Sequence, residues 1–128
     1  MRRLLGVALS AWAVTATAQC LFYERPEVTL AGVVHYRAFS VADKAQSATI
    51  LELESPICVR SRQPGELGTD VPRDNIRIVQ LVLLPSISRP LPESRIAASG
   101  ILSGADAGHH QTRVLLYVRT VNAAYESK

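Results

Sequence analysis

Two adjacent histidines, His109 and His110, with Asp106 just upstream, are the residues whose types best fit a chemical site. Imidazole nitrogen and carboxylate oxygen are ligands that suit zinc, copper or nickel. Neighbouring residues of an extended chain point to opposite faces, however, so one ion rarely uses both imidazoles. His35 is the only other histidine, and only folding could bring it near. The competing reading is architectural. Asp106-Ala107-Gly108 makes a turn between two strands, and His109 and Thr112 hydrogen-bond loop backbone that would otherwise go unpaired. The architectural reading is the expectation, with no cofactor; a metal-binding loop of His109, His110 and Asp106 is the alternative.

Other constellations are weaker. Glu52 and Glu54 lie two residues apart, on one face of a strand. Paired carboxylates can do acid–base work, but on an alternating strand they are far more often the solvated face. No Gly-x-Ser-x-Gly elbow precedes a helix, and there is no phosphate loop or dinucleotide glycine pattern. An enzyme is not expected, and a small hydrolase is the last alternative. Cys20 and Cys58 are too far apart for the C-x-x-C spacing that tunes a reactive thiol. A structural disulfide is expected, with two free buried thiols as the other reading.

The first elements to place are at the amino terminus. Met1-Arg2-Arg3 is a positive start, followed by the apolar run from Leu4 to Val14, and then Ala16-Thr17-Ala18, the small-x-small pattern of a signal-peptidase site. We read residues 1–18 as a signal peptide cleaved after Ala18. The run falls short of the roughly 20 apolar residues of a membrane span. Lipidation at Cys20 is a minor reading because Gln19, rather than a small residue, precedes it. The full chain carries 14 basic and 11 acidic residues, a formal +3. Arg2 and Arg3 leave with the signal, so the mature balance is 12 minus 11, or +1. Such a chain has no strong general pull on nucleic acid or anionic membrane. Trp12 leaves as well, removing a stacking platform for single strands.

Residues 19–128 suffice for one domain. They read as five β segments: 27–39, 48–60, 76–84, 95–102 and 113–121. Val28, Leu30, Val34 and Tyr36 alternate with polar or small neighbours, and Gly32 marks a bulge or bend. Thr49-Ile50-Leu51-Glu52-Leu53-Glu54 has a period of two, interrupted at Ser55-Pro56. Residues 40–47 read as a polar connection, 61–75 as a long loop, 85–92 as a proline-rich extended crossover, and 122–128 as a frayed tail. The pattern predicts an all-β domain, a small five-stranded Greek-key barrel of the OB type. A sandwich of the immunoglobulin kind would need about seven strands.

Several short motifs resemble one family. Cys20-Leu21-x-Tyr23, Val28-x-Leu30-x-Gly32, Pro56-Ile57-Cys58-Val59, Val79-Gln80-Leu81-Val82 and Ser99-Gly100-x-Leu102 occur in order. Gly108-His109-His110-x-Thr112-x-Val114-Leu115-Leu116 follows. Together they resemble the bacterial domain-of-unknown-function family 4431, small exported proteins. The resemblance implies that both cysteines sit at family positions; it implies no activity or cofactor. The chain departs from the family pattern where Gln111 stands for a third histidine and Arg113 for a proline.

The expected function is a non-catalytic binding or accessory module of the cell envelope, periplasmic or secreted. Its partner would be an envelope protein, peptide or glycan, held through the loops at 61–75 and 103–112. No nucleic acid and no membrane span after cleavage are expected, and the sequence fixes no oligomeric state.

Overall fold

The computed structural model describes residues 20–61, 70–105 and 110–123. The expected signal segment therefore lies outside the described residues, as do Asp106 and His109. Among the described residues there is no helix, and no segment is a helix long and apolar enough to cross a membrane. Six strands form one mixed sheet: β1 (Leu21–Phe22), β2 (Val28–Val41), β3 (Lys44–Arg60), β4 (Arg73–Leu83), β5 (Arg95–Gly104) and β6 (Val114–Ala123).

The sheet order is β1-β3-β2-β5-β6-β4, and β4 also pairs with β3, so β2 to β6 close into a ring. Neighbours are antiparallel except β4–β6 and the short β1–β3 pairing. The all-β, five-stranded Greek-key expectation holds. The sixth strand, β1, is a two-residue addition on the outside of β3, too short for any periodicity to announce.

Alternation explains the core. Leu30 and Val34 of β2, Leu51 and Val59 of β3, Ile76, Val79 and Leu81 of β4, Ile96, Ala98 and Leu102 of β5, and Val114, Leu116 and Val118 of β6 form one buried cluster. Tyr23, just after β1, joins it at 1% exposure. A second buried row lies across the sheet, where Ile50, Gln80 and Leu115 stand side by side in register.

Gly32 is not a bulge. It pairs on both sides at once, with Leu53 of β3 and Ile96 of β5, where β2 passes from one partner to the other. A Cβ there would overlap the carbonyl oxygen of Glu52, so glycine is required by close approach rather than by φ. Gly100 plays the same part against the carbonyl oxygen of Tyr117, beside a register shift between β5 and β6. The Ser55-Pro56 interruption is a true irregularity. From Glu52 to Ile57 β3 advances five residues while its partner retreats only from Ile78 to Ile76.

Two expectations are corrected. Residues 40–47 are not a connection: β2 and β3 run on as a ribbon to a two-residue turn at Ala42 and Asp43, both at positive φ (51° and 65°). This is the backbone of a type I′ hairpin. The ribbon's residues are exposed or half-buried because it projects past the core. Asn122 and Ala123, expected in a frayed tail, still pair with Ala97 and Ile96, and residues 124–128 lie outside the described residues.

Cys20 and Cys58 form a disulfide, Cα–Cα 4.7 Å, joining the chain just before β1 to β3. Such a bond belongs to an oxidising, extracytoplasmic compartment.

Candidate functional site

The loop singled out by its histidines connects β5 to β6, and its described part, residues 110–113, is tightly held. Thr112 Oγ1 accepts the backbone N–H of Gln80 at 2.9 Å and donates to Val114 O at 2.7 Å. Gln111 N–H donates to Gln80 Oε1 at 2.6 Å, and Gln111 O accepts from Arg37 Nη1 at 3.2 Å. Ala105 N–H donates to Arg113 O at 3.1 Å, closing the loop's neck. Gln80 thus holds the loop with both backbone and side chain, and with Thr112 it is buried at 8% exposure. Gln111 contributes its peptide groups to this clamp.

The long loop between β3 and β4 reaches the same end of the ring. Asp70 Oδ1 accepts the N–H of Gly104 at 3.0 Å, and Tyr23 O–H donates to Val71 O at 2.6 Å. Burial pushes the Tyr23 phenol's pKa up, against the opposing pull of the Arg73 guanidinium. The described end of the β3–β4 loop is therefore tied through Asp70 to the last residue of β5, 34 residues on.

Between them lies an open groove of about 610 Å³, with one wall on the first half of β4 and the other on the loop at Ala105 and residues 110–113. Three arginines, Arg73, Arg77 and Arg113, line it with His110, and no acidic side chain is among its described lining residues. The nearby acids are engaged elsewhere. Asp74 pairs with Arg60 at 2.8 Å, and Asp70 serves Gly104 as above. The Nε of Arg73 is shielded from solvent and has no acceptor. His110 also borders a second groove of about 500 Å³, over Phe39, Leu84 and Tyr117.

The groove exists because the ring closes incompletely. β4 pairs with β6 only through residues 80–83, so among the described residues 73–79 have a strand neighbour on one side, β3. Asn75, at φ 52°, is the extra residue of a bulge: β4 spends three steps from Arg73 to Ile76 while β3 spends two from Val59 to Ile57. Asn tolerates this left-handed conformation better than most residues.

The histidine that gathers carboxylates is His35, on the outer face of β2. Its Nε2–H donates to Glu52 Oε1 at 2.8 Å and its Nδ1–H to Glu93 Oε2 at 2.9 Å. Two donating nitrogens require the imidazolium form, and the hydrogen bonds to Glu52 and Glu93 raise its pKa above the ordinary 6.5. Because the ring sits between the carboxylates, the three side chains cannot converge on one ion. Among the described residues no group of three or more His, Cys, Asp or Glu side chains could hold a metal. Glu54 pairs instead with Arg95 at 2.6 Å. The two glutamates of the β3 outer face thus have different partners and make no acid–base pair with each other. Glu93 belongs to the crossover between β4 and β5, which is further fastened where Tyr36 donates to Pro90 O and Arg89 stacks 4.6 Å above the Tyr36 ring.

Compared with family models, with curated proteins and with solved structures, the chain finds no match. Its chemistry must be read from its own residues. Of the residues singled out in the sequence, Thr112 is an anchor, His110 lines both grooves, and Asp106 and His109 lie outside the described residues. The arginines were missed. Arg73 and Arg77 stand an even number of residues apart near the start of a strand, a signal that becomes legible only once the bulge and the facing Arg113 are known.

Proposed function

We propose that the chain is an exported, non-catalytic binding module of the bacterial cell envelope, periplasmic or secreted after cleavage behind Ala18. The disulfide supports the compartment, and the order Arg2-Arg3, apolar run, Ala16-Thr17-Ala18 supports the route. The observation that carries the binding reading is the groove between β4 and the segment at 110–113, which Gln80 clamps, with Asp70 fastened to the end of β5 beside it. Rigid backbone around a lined concavity is preorganised for recognition, which lowers the ordering cost of binding. The ligand is an envelope protein, peptide or glycan. It is tested by amide chemical-shift mapping of the protein with peptides and with soluble glycan fragments of the envelope. Saturable shifts centred on residues 73–79 and 110–113, with the ligand recovered unchanged, are expected. Conversion of any of these ligands to new products, or shifts confined to the opposite end of the ring, would refute it.

A further inference from the structure

Resting on that binding-module reading, we propose that the groove takes an extended acidic peptide, added as a strand along the open edge of β4, its carboxylates met by Arg73, Arg77 and Arg113. Residues 73–79 offer about 23 Å of strand edge at roughly 3.3 Å per residue, enough for a segment of about six residues. An edge with one neighbour presents unpaired backbone groups and is a template for strand addition. The neighbouring edge cannot fill this space itself, because β6 meets β4 only from Gln80 onward.

The charge on the groove selects the occupant. Its described lining has three guanidinium groups and no carboxylate, and the two acids close by, Asp70 and Asp74, are already held by Gly104 N–H and by Arg60. Guanidinium groups pair with carboxylates through two parallel bonds, which gives direction as well as attraction. A second copy of the chain would bring arginines against arginines, so self-pairing at this edge is opposed.

Charged residues on an exposed edge can also act only as guards against aggregation. A guard requires no facing wall. Here the wall at 110–113 is fixed by four hydrogen bonds, from Gln80 N–H, Gln111 N–H, Arg37 and Thr112 O–H, and it bounds a space rather than covering it.

The test uses the acetylated peptide amide Glu-Thr-Glu-Val-Glu-Thr against the 15N-labelled protein. Three control peptides accompany it: one with Gln for every Glu, and two carrying N-methyl groups on alternate amides, one set for each edge of the peptide. Saturable shifts over residues 73–79 are expected. The Gln peptide and the Arg77→Glu/Arg113→Glu variant should each weaken binding about tenfold or more. One N-methyl peptide should lose binding and the other keep it. Arg77→Gln/Arg113→Gln is made alongside, in case the charge reversal disturbs folding. If both N-methyl peptides bind like the parent, strand pairing is wrong. If the Gln peptide binds equally, the acidic requirement is wrong. If no acidic peptide moves residues 73–79 while a glycan fragment does, this proposal falls and the binding-module reading stands.

Discussion

Thr112→Val isolates the clamp that shapes the groove. The two side chains have nearly the same volume, so the substitution leaves little cavity and removes one hydroxyl. That hydroxyl accepts Gln80 N–H and donates to Val114 O, with both Thr112 and Gln80 buried at 8% exposure. Leaving a buried donor unsatisfied costs about 1–3 kcal/mol. The carbonyl of Val114 loses less, because it has a second lone pair and sits where β6 pairs with β5 at Gly104. Together the loss comes to about 2–3 kcal/mol, which for a domain of about 105 residues lowers the melting temperature by roughly 10 °C. Thr112→Ser keeps the hydroxyl and loses one methyl, costing about 1 kcal/mol. Urea unfolding of the wild type and both variants measures the difference, and amide exchange at Gln80 reports the bond itself. The valine variant should also blur the shifts of residues 110–113. A valine variant no less stable than the serine variant, with Gln80 exchange unchanged, would show that the hydroxyl does not hold the loop.

Replacing both Cys20 and Cys58 by serine opens a link across 38 residues and should cost about 4 kcal/mol in the chain-entropy model. A loss below about 1 kcal/mol in urea unfolding would mean that Tyr23 and the β1 pairing already close that loop in the unfolded ensemble. His35 has its pKa raised above 6.5 by Glu52 and Glu93, so its stabilisation is complete below about pH 6.5 and disappears as pH rises through the folded value. With the three side chains 38%, 60% and 71% exposed, solvent screening keeps the effect to about 1 kcal/mol or less. An NMR titration giving His35 a pKa at or below 6.5, or a pH profile unchanged by His35→Gln, would count against the bridge. Gly32→Ala forces a Cβ into the carbonyl of Glu52 and should cost about 3 kcal/mol or more, since the backbone itself must part. A variant as stable as wild type by thermal unfolding would mean that β2 and β3 are not so close.

Regular structure was legible wherever burial imposed an alternation. The inward set of β2, the period-two run in β3 and the apolar β4 all gave strands in the right places, and five of them gave the ring. What escaped notice lacked a local signal. The hairpin at Ala42-Asp43 uses positive φ without the Asn-Gly pair that normally advertises it. Its flanks leave the core, so burial imposes no clean alternation on Phe39-Ser40-Val41 and Lys44-Ala45-Gln46. The partner of His35 was hidden for a different reason: Glu93 is 58 residues away in a proline-rich crossover, and only the path of that crossover over β2 joins them. The peptide groups of Glu93 and Ser94 bond to those of Val34, which places the carboxylate beside the next residue's ring.

The same distinction governs the charge. The balance of +1 expected once residues 1–18 are removed corresponds to little long-range field. It does not describe the groove. Glu52, Glu54, Glu93 and Asp74 are drawn to His35, Arg95 and Arg60, on outer strand faces and in the crossover. Arg73, Arg77 and Arg113 line the groove beside the stretch of β4 that, among the described residues, has no neighbour but β3. Acids paired with bases elsewhere, and arginines without acids along the groove, suit short-range recognition, in which charge fixes register and hydrogen bonds along the edge supply the attraction.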